Sequence, residues 1–295
     1  MVAAHERLAQ ARLDEASGLH VGSLLIDGQR LRIGIRPARP EAAPSRARRP
    51  LLLFNGIGAN LELCAPLMAQ LPERESIVFD APGAGLSPAP KRPYHMAWLA
   101  RLASLLLDEL GCGPQVDVLG VSWGGALAQQ FALQCGSRVG RLILAATSTG
   151  GLTSMPGRPA AWLKVLSLPR YRDQALMQRE APAIYGGRLR DDPAAARRYA
   201  ERAMGGDPAG YRYQLLAMLG WSSLPWLWAI RQPTLVLAGS EDPLVPLVNA
   251  RMLAMLLPHA RLCVVEDGHL FLLTQARQLA PVITSFLDDP PVPTR

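Results

Sequence analysis

The first feature with chemical potential is a serine at the centre of Gly120-Val121-Ser122-Trp123-Gly124, which has the spacing G-x-S-x-G. The apolar run Val116 to Leu119 precedes it, and a helical stretch, Gly125 to Gln134, follows it. Strand, sharp turn and helix are the context of a nucleophile elbow, in which the two glycines avoid collisions with neighbouring backbone. The pattern predicts that the Ser122 hydroxyl attacks an ester carbonyl.

A serine nucleophile needs a general base, and the sequence contains five histidines. His269 follows the apolar run Leu262 to Val265, so we expect it in a loop at the carboxyl edge of a sheet, beside Ser122. The remaining histidines lie in the N-terminal segment, before a helix or in a polar turn: His5, His20, His95 and His259. We therefore predict that His269 is the base.

The base in turn needs a carboxylate that fixes its tautomer and stabilises the imidazolium that forms. Asp242 follows the apolar run Thr234 to Ala238 and precedes His269, which gives the chain order serine, aspartate, histidine. Glu241 is the nearest alternative, and Asp267 is a weaker one. We predict Asp242 as the third member of a catalytic triad.

The tetrahedral intermediate needs an oxyanion hole, usually two backbone N–H groups. Trp123 directly follows the nucleophile and supplies one amide. The second is expected in the loop 55–60, where we predict the amide of Ile57. The triad and this hole supply the chemistry by themselves, so the sequence implies neither a metal nor an organic cofactor.

The elements around these residues alternate between short apolar runs and helical stretches, which predicts an α/β fold with a mostly parallel central sheet flanked by helices. The runs are read as strands buried on both faces. They follow an opening hairpin at Leu24 to Ile26 and Leu31 to Ile35: Leu51 to Phe54, Ser76 to Phe79, Val116 to Leu119, Leu142 to Ala145, Thr234 to Ala238 and Leu262 to Val265.

The alternation is interrupted once, which predicts a helical cap over residues 152–230 inserted into a core of residues 22–151 and 231–290. Residues 1–21 are read as an N-terminal extension whose order the sequence leaves open. The cap holds four of the six tryptophans and five of the six tyrosines. These aromatics form either a small core of the cap or a substrate groove, for which Trp221 and Tyr185 are candidates.

Composition narrows the function classes. The four cysteines are scattered without metal-ligand spacing, and no segment of 18 or more apolar residues or signal peptide is recognisable, so we expect a cytoplasmic chain with free thiols and no transmembrane segment. The net charge is +7, and part of the excess lies in an arginine-rich loop, Pro37 to Pro50, which is read either as a solvated connection, the favoured interpretation, or as a patch that meets an anionic surface. It lacks interleaved aromatics, so nucleic acid is not an expected partner.

Three segments carry a specific resemblance to a known family: the stretch 54–63, the Asp80-Ala81-Pro82-Gly83-Ala84-Gly85 motif, and the elbow continued to Phe131. With further matches in the cap and at 267–272, the chain from about residue 22 to 288 resembles the intracellular depolymerases of medium-chain polyhydroxyalkanoates. The resemblance implies an α/β-hydrolase fold, a polyester substrate hydrolysed to 3-hydroxy acids, and association with polyhydroxyalkanoate granules.

Two alternatives remain open from the residues. The same triad would serve a generic carboxylesterase or monoacylglycerol-type lipase acting on small esters, because the shape of the cap sets specificity. A granule-binding protein without turnover would keep the fold but would not require an intact triad. The preferred monomer length, the oligomeric state and the mobility of the cap do not follow from the sequence.

Overall fold

The computed structural model describes residues 11–39, 48–167, 173–203 and 205–289, together with Ala4 and Leu8. Within these ranges nine strands form one mixed sheet: β1 (Arg12–Asp14), β2 (Leu19–Ile26), β3 (Gln29–Arg36), β4 (Leu51–Phe54), β5 (Ser76–Phe79), β6 (Val116–Val121), β7 (Val139–Ala145), β8 (Thr234–Gly239) and β9 (Ala260–Val265).

The strands lie in the order β1-β2-β3-β5-β4-β6-β7-β8-β9. The neighbouring pairs β1–β2, β2–β3 and β3–β5 are antiparallel. All the other neighbouring pairs, from β5–β4 to β8–β9, are parallel. The carboxyl ends of β4, β6, β8 and β9 therefore meet at the same edge of the sheet. Ligands bind at this edge in open α/β sheets, so the topology fixes where a site should form.

Eleven α-helices accompany the sheet in the described ranges: α1 (Ala65–Ala69), α2 (Met96–Glu109), α3 (Trp123–Gln134), α4 (Pro159–Leu166), α5 (Gln174–Tyr185), α6 (Arg188–Asp191), α7 (Pro193–Arg202), α8 (Pro208–Met218), α9 (Leu247–Leu256), α10 (Phe271–Thr274) and α11 (Ala276–Asp288). The apolar faces of α2, α3 and α9 cover one face of the sheet, and those of α1 and α11 cover the other.

Strand β4 shows why the short apolar runs identify central strands. Leu52 and Phe54 pack into the core on the α2 and α3 side, whereas Leu51 and Leu53 pack into the core on the α1 and α11 side. Successive side chains of a strand point to opposite faces, so a strand covered on both faces needs apolar residues at every position. The predicted α/β architecture with a mostly parallel sheet is confirmed.

The prediction that Leu262 to Val265 is buried on both faces is wrong. This segment belongs to β9, which is the edge strand of the sheet, and the side chains of Leu262 and Val264 are 37% and 45% exposed. At this edge of the sheet the face of β9 that carries Leu262 and Val264 is left partly uncovered, and an apolar run does not reveal whether its strand is central or terminal in the order.

The sheet also begins earlier than the sequence indicated. The hairpin turn at Asp27-Gly28 is observed, but β2 already starts at Leu19, and β1 at Arg12 pairs with it. A second tight turn, in which Ser17 donates from its backbone N–H to Asp14 at 3.1 Å, joins these two strands. The first 21 residues therefore include part of the sheet, although residues 1–3, 5–7, 9 and 10 lie outside the described ranges.

Residues 152–230, here called the cap, contain α4 to α8 and, within the described part, no strand. The buried side chains of α4, α5 and α7 form a separate small core with Leu244 of the strand-bearing part, whereas Ala217 and Leu227 join the main core. The arginine-rich loop is described only at its ends, where Arg48 forms an ion pair with Asp288 at 2.7 Å. None of the helices in the described ranges combines the length and the hydrophobicity that crossing a membrane requires.

Candidate active site

Ser122 occupies the sharp turn between β6 and α3. Its backbone has φ 55° and ψ −118°, a left-handed conformation that is unusual for a non-glycine residue. The turn is held from both sides, because the Ser122 N–H donates to the Ala145 carbonyl at 2.8 Å and the Thr147 hydroxyl donates to the Ser122 carbonyl at 2.7 Å. The strained conformation presents the hydroxyl at the carboxyl edge of the sheet, as a nucleophile elbow requires.

The glycines of the elbow are required by contact distances. A Cβ atom at Gly124 would lie 2.2 Å from the Phe54 carbonyl oxygen, and one at Gly120 would lie 2.3 Å from the Gly124 carbonyl oxygen. Both contacts are with backbone, which cannot move aside as a side chain would. The absence of side chains thus allows α3 to begin directly against the end of β4.

His269 and Asp242 form a buried hydrogen-bonded pair, with 2.7 Å between His269 Nδ1 and Asp242 Oδ2. The other carboxylate oxygen of Asp242 accepts the N–H groups of Leu244 and Val245 at 2.8 and 2.9 Å. These two bonds fix the carboxylate, and the pair leaves Nε2 of the imidazole for the serine hydroxyl. His269 itself is anchored by its backbone N–H, which donates to the Tyr185 carbonyl at 2.7 Å.

The two alternative carboxylates are engaged elsewhere. Glu241 is half exposed and pairs with Arg190 at 2.7 Å. Asp267 is buried and accepts hydrogen bonds from the N–H groups of Gly268 in its own loop and of Arg188 in cap helix α6, at 2.7 and 2.8 Å, and from the Gln275 side chain at 3.0 Å. The geometry therefore favours Asp242 as the partner of His269.

The predicted oxyanion donors lie on two neighbouring elements. Trp123 is the first residue of α3, and the first N–H groups of a helix have no acceptor within it. Ile57 lies in the loop after β4, which Asn55 closes by donating from Nδ2 to the Asn60 carbonyl at 2.7 Å. A Cβ atom at Gly56 would lie 3.8 Å from Ser122 Cβ, so this loop passes directly beside the nucleophile.

A cavity joins these residues to the cap, with an empty volume of about 1130 Å³ that includes open solvent at its mouth. Ser122, His269 and Ile57 line it together with apolar residues of the sheet edge and with five residues of cap helices: Trp162, Val165, Met177, Tyr185 and Tyr199. The site is thus an apolar chamber with a few polar groups, which is typical of a small-molecule site.

The two aromatic candidates of the cap differ in position. Tyr185 lines the cavity, and its ring stacks on His269 with ring centres 6.0 Å apart. Trp221 lies elsewhere: its indole N–H donates to Gln130 at 2.9 Å and its ring packs edge-on against Trp226. The expectation that Trp221 contacts substrate is therefore not supported, since its aromatic surface serves the packing of the cap against α3.

Trp162, Val165, Met177 and Tyr199 were not singled out from the sequence. A helical pattern shows which side chains share a face but not which neighbouring element that face meets, so the sequence offered no signal for them beyond their aromatic or apolar character. In the described part of the chain, no cluster of three or more histidine, cysteine or acidic side chains could hold a metal ion.

Comparisons with known proteins agree with this architecture. A family model described as alpha/beta hydrolase fold matches residues 49–276. The poly(3-hydroxyalkanoate) depolymerase of Ectopseudomonas oleovorans is 48% identical over 263 residues, which cover 89% of this chain and 90% of that protein. The 3-oxoadipate enol-lactonase 2 of Acinetobacter baylyi is 28% identical over 76% of this chain and 84% of its own length.

Among solved structures, the enol-lactonase from Burkholderia xenovorans superposes with a TM-score of 0.76 at 22% identity, covering 90% of this chain and 100% of that one. At this identity the similarity establishes the fold alone. The fold, the family model and the extent of the depolymerase match together confirm the predicted family. The chain belongs to the alpha/beta hydrolase family and is a relative of the poly(3-hydroxyalkanoate) depolymerases.

Proposed function

We propose that this chain hydrolyses the ester bonds of a poly(3-hydroxyalkanoate) through an acyl-enzyme on Ser122. The observation that carries the proposal is the buried Asp242 to His269 pair, which lies at the same sheet edge as a strained serine and opens into an apolar cavity. The substrate class is supported by the depolymerase relative, whose similarity extends over 89% of this chain.

In the acylation step, His269 Nε2 takes the Ser122 proton while Oγ attacks the carbonyl carbon of the polyester. The Trp123 and Ile57 amides stabilise the negative charge on the carbonyl oxygen, and Asp242 stabilises the imidazolium. The intermediate then collapses and expels the 3-hydroxyl oxygen of the next monomer, to which His269 returns the proton. Water, activated by His269, repeats the attack and releases the free acid.

We also propose that medium-chain monomers are preferred, because the wall of the cavity is mostly apolar. Aliphatic and aromatic side chains from the sheet edge and the cap cover most of its wall. An alkyl side chain of the polymer gains about 0.8 kcal/mol for every methylene that leaves water for such a surface. A site of this kind binds long alkyl groups better than short ones, provided that they fit.

The decisive experiment measures release of 3-hydroxyoctanoate from an amorphous medium-chain polyester suspension by the purified protein, with Ser122→Ala alongside. We expect release by the wild type and none by the variant. If both release nothing while the wild type cleaves short soluble esters in a Ser122-dependent way, the polymer substrate is wrong and a carboxylesterase function takes its place.

The carboxylesterase alternative has some support of its own. The pimeloyl-[acyl-carrier protein] methyl ester esterase of Aromatoleum aromaticum is 29% identical over 80% of this chain and 97% of its own length. The polyester and a small ester would meet the same triad, so the two functions differ in substrate preference and not in mechanism. The ratio of the polymer rate to the small-ester rate separates them.

Association with a polyester granule is a further part of the proposal. Several large apolar side chains of the cap face solvent, among them Leu163 at 71%, Leu219 at 80% and Trp228 at 60% exposure. Exposed apolar side chains on the cap would favour contact with a hydrophobic granule. Sedimentation with purified granules, compared between the wild type and Leu163→Glu, tests the contact independently of turnover.

A further inference from the structure

Gln214, on cap helix α8, contacts both elements that carry the proposed oxyanion donors. Its side-chain Oε1 accepts the Gly58 N–H at 2.6 Å, and its backbone carbonyl accepts the Trp123 indole N–H at 2.9 Å. Gly58 directly follows Ile57, and Trp123 carries the other donor. One residue of the cap therefore touches both halves of the oxyanion hole.

We propose that Gln214 is a positioning residue that holds the Ile57 amide in place for the oxyanion. This inference rests on the proposed serine-ester chemistry and concerns the same site. Gly58 has φ +64°, a conformation that the loop adopts easily only because this residue is glycine. The buried N–H group of Gly58 needs an acceptor, and Gln214 Oε1 is the acceptor that the structure provides.

The position of α8, from which Gln214 reaches the loop 55–60, is fixed by packing against the loop that follows β5. Gly210 lies one helical turn before it, on the same face, and a Cβ atom at Gly210 would lie 2.2 Å from the Gly83 Cα atom. The backbone of α8 is therefore in direct contact with the backbone of the loop after β5. Asp207, at the start of α8, donates its N–H to the Gly83 carbonyl at 3.0 Å and fixes the same end of the helix.

The stability of the fold alone does not account for a glutamine at this position. Gln214 is 1% exposed, and among the described residues its Nε2 atom has no hydrogen-bond partner. A buried amide donor without a partner costs on the order of 1 to 3 kcal/mol, and an apolar side chain of similar shape would avoid that cost. The contact with Gly58 is what an apolar replacement would lose.

The test compares Gln214→Met with Gln214→Glu, which keeps an acceptor oxygen, on p-nitrophenyl octanoate. For the Met variant we expect kcat to fall roughly 10-fold to 100-fold with KM within about threefold, because loss of a whole oxyanion donor costs about 100-fold to 1000-fold. The Glu variant should recover most of kcat. The pH profile of kcat should keep its shape in the Met variant, since the imidazole and its carboxylate are untouched.

Asn249→Leu is the matched control. Asn249 is also 1% exposed and also links the cap to the core, because its Nδ2 donates to the Met155 carbonyl at 2.9 Å, far along the chain from the oxyanion loop. It should lose stability in urea unfolding without a comparable fall in kcat per folded molecule. A merely structural Gln214 would behave like this control.

Two outcomes would overturn the proposal: a folded Gln214→Met protein with wild-type kcat, or equal losses in the Met and Glu variants. If Gln214→Met does not fold, Gln214→Asn decides, because its shorter side chain withdraws the acceptor from Gly58 and wild-type kcat in that variant would refute the role. Failure of the proposed function would give a different result, because the wild type would then be no more active than Ser122→Ala.

Discussion

At the residue scale, both carboxylate oxygens of Asp242 are committed: Oδ1 to two backbone N–H groups and Oδ2 to His269 Nδ1. This arrangement favours the imidazole tautomer that carries its proton on Nδ1, which is the tautomer that the proposed role of Nε2 as the base requires. The role of the carboxylate is thus geometric as well as electrostatic, which distinguishes it from a carboxylate that is merely close to the histidine.

Replacement of Asp242 by asparagine should lower kcat on a soluble ester about 1000-fold to 10,000-fold, because the amide can present an N–H to Nδ1 and stabilise the wrong tautomer. Steady-state kinetics with p-nitrophenyl esters measures this. Glu241→Gln is the neighbouring control and should stay within about twofold, since its partner Arg190 is at the surface. Equal losses in the two variants would contradict the assignment.

A second residue-scale prediction concerns Gly124. Gly124→Ala should lower the free energy of unfolding by about 3 kcal/mol or more, because the new methyl group would meet the Phe54 and Asn55 carbonyl oxygens at 2.2 and 2.4 Å. Urea denaturation checks it. Gly113→Ala is the control: a Cβ atom there has no neighbour within 4 Å, so its stability should stay within about 1 kcal/mol of the wild type. Similar values for both would show that the elbow can yield.

At the element scale, Asp80 joins the strand β5 to two segments near the site. Its carboxylate accepts the N–H groups of Leu61 at 2.7 Å and Leu86 at 3.0 Å, and Arg32 lies 3.2 Å away. Burial nevertheless raises the pKa of Asp80 from 3.8 to about 6, and the nearby Glu62 carboxylate adds to the rise. The folded chain therefore holds this proton more tightly than the unfolded chain.

The sign of the pH effect follows from that difference. The contribution of Asp80 to stability is largest below about pH 4 and is lost as the pH rises to about 6, with an amplitude of about 3 kcal/mol for this pKa change. We expect the free energy of unfolding of the wild type, minus that of Asp80→Asn, to decrease by this order between pH 4 and pH 7. A difference that stays constant or increases would contradict it; urea titrations at several pH values measure it.

The elements also show how much of the structure can be predicted from the sequence. Strands such as β4 and β8 were predictable because two covered faces demand an apolar residue at every position. β9 carries a similar apolar run, but its place at the edge depends on strand order, which no local pattern encodes. The proposed triad was assembled from the position of each residue after a strand, whereas Gln214 has no local signal because its partner Gly58 is distant in the chain.

At the scale of the whole molecule, the cap and the sheet edge form one site. The sheet edge supplies Ser122, His269 and Asp242, and the cap supplies Tyr185, whose carbonyl accepts the His269 N–H. In the proposed mechanism, cap residues therefore have two effects: they position His269, and they determine how much room the acyl chain has. We propose that substrate preference changes with the second effect while the triad remains intact.

Two residues of one cap helix, one in the cavity wall and one at the surface, allow a test that separates these two effects. Val165 on α4 is 3% exposed and lines the cavity, whereas Leu163 on the same helix is 71% exposed and outside the lining. Val165→Phe fills part of the chamber. Exclusion of about two methylenes, at about 0.8 kcal/mol each, should lower kcat/KM for an octanoyl ester at least about tenfold, while the acetyl ester stays within about threefold.

Leu163→Phe should leave the ratio of the octanoyl to the acetyl rate unchanged, because its side chain adds bulk only on the solvent side of α4. The Val165 carbonyl that accepts the Tyr211 hydroxyl at 2.6 Å is retained in Val165→Phe, so the helix keeps its anchor. If both esters lose rate equally in Val165→Phe, the substitution disturbs the catalytic groups and does not discriminate between acyl chains by their length. If neither ester loses rate, the acyl group of the substrate lies outside this chamber.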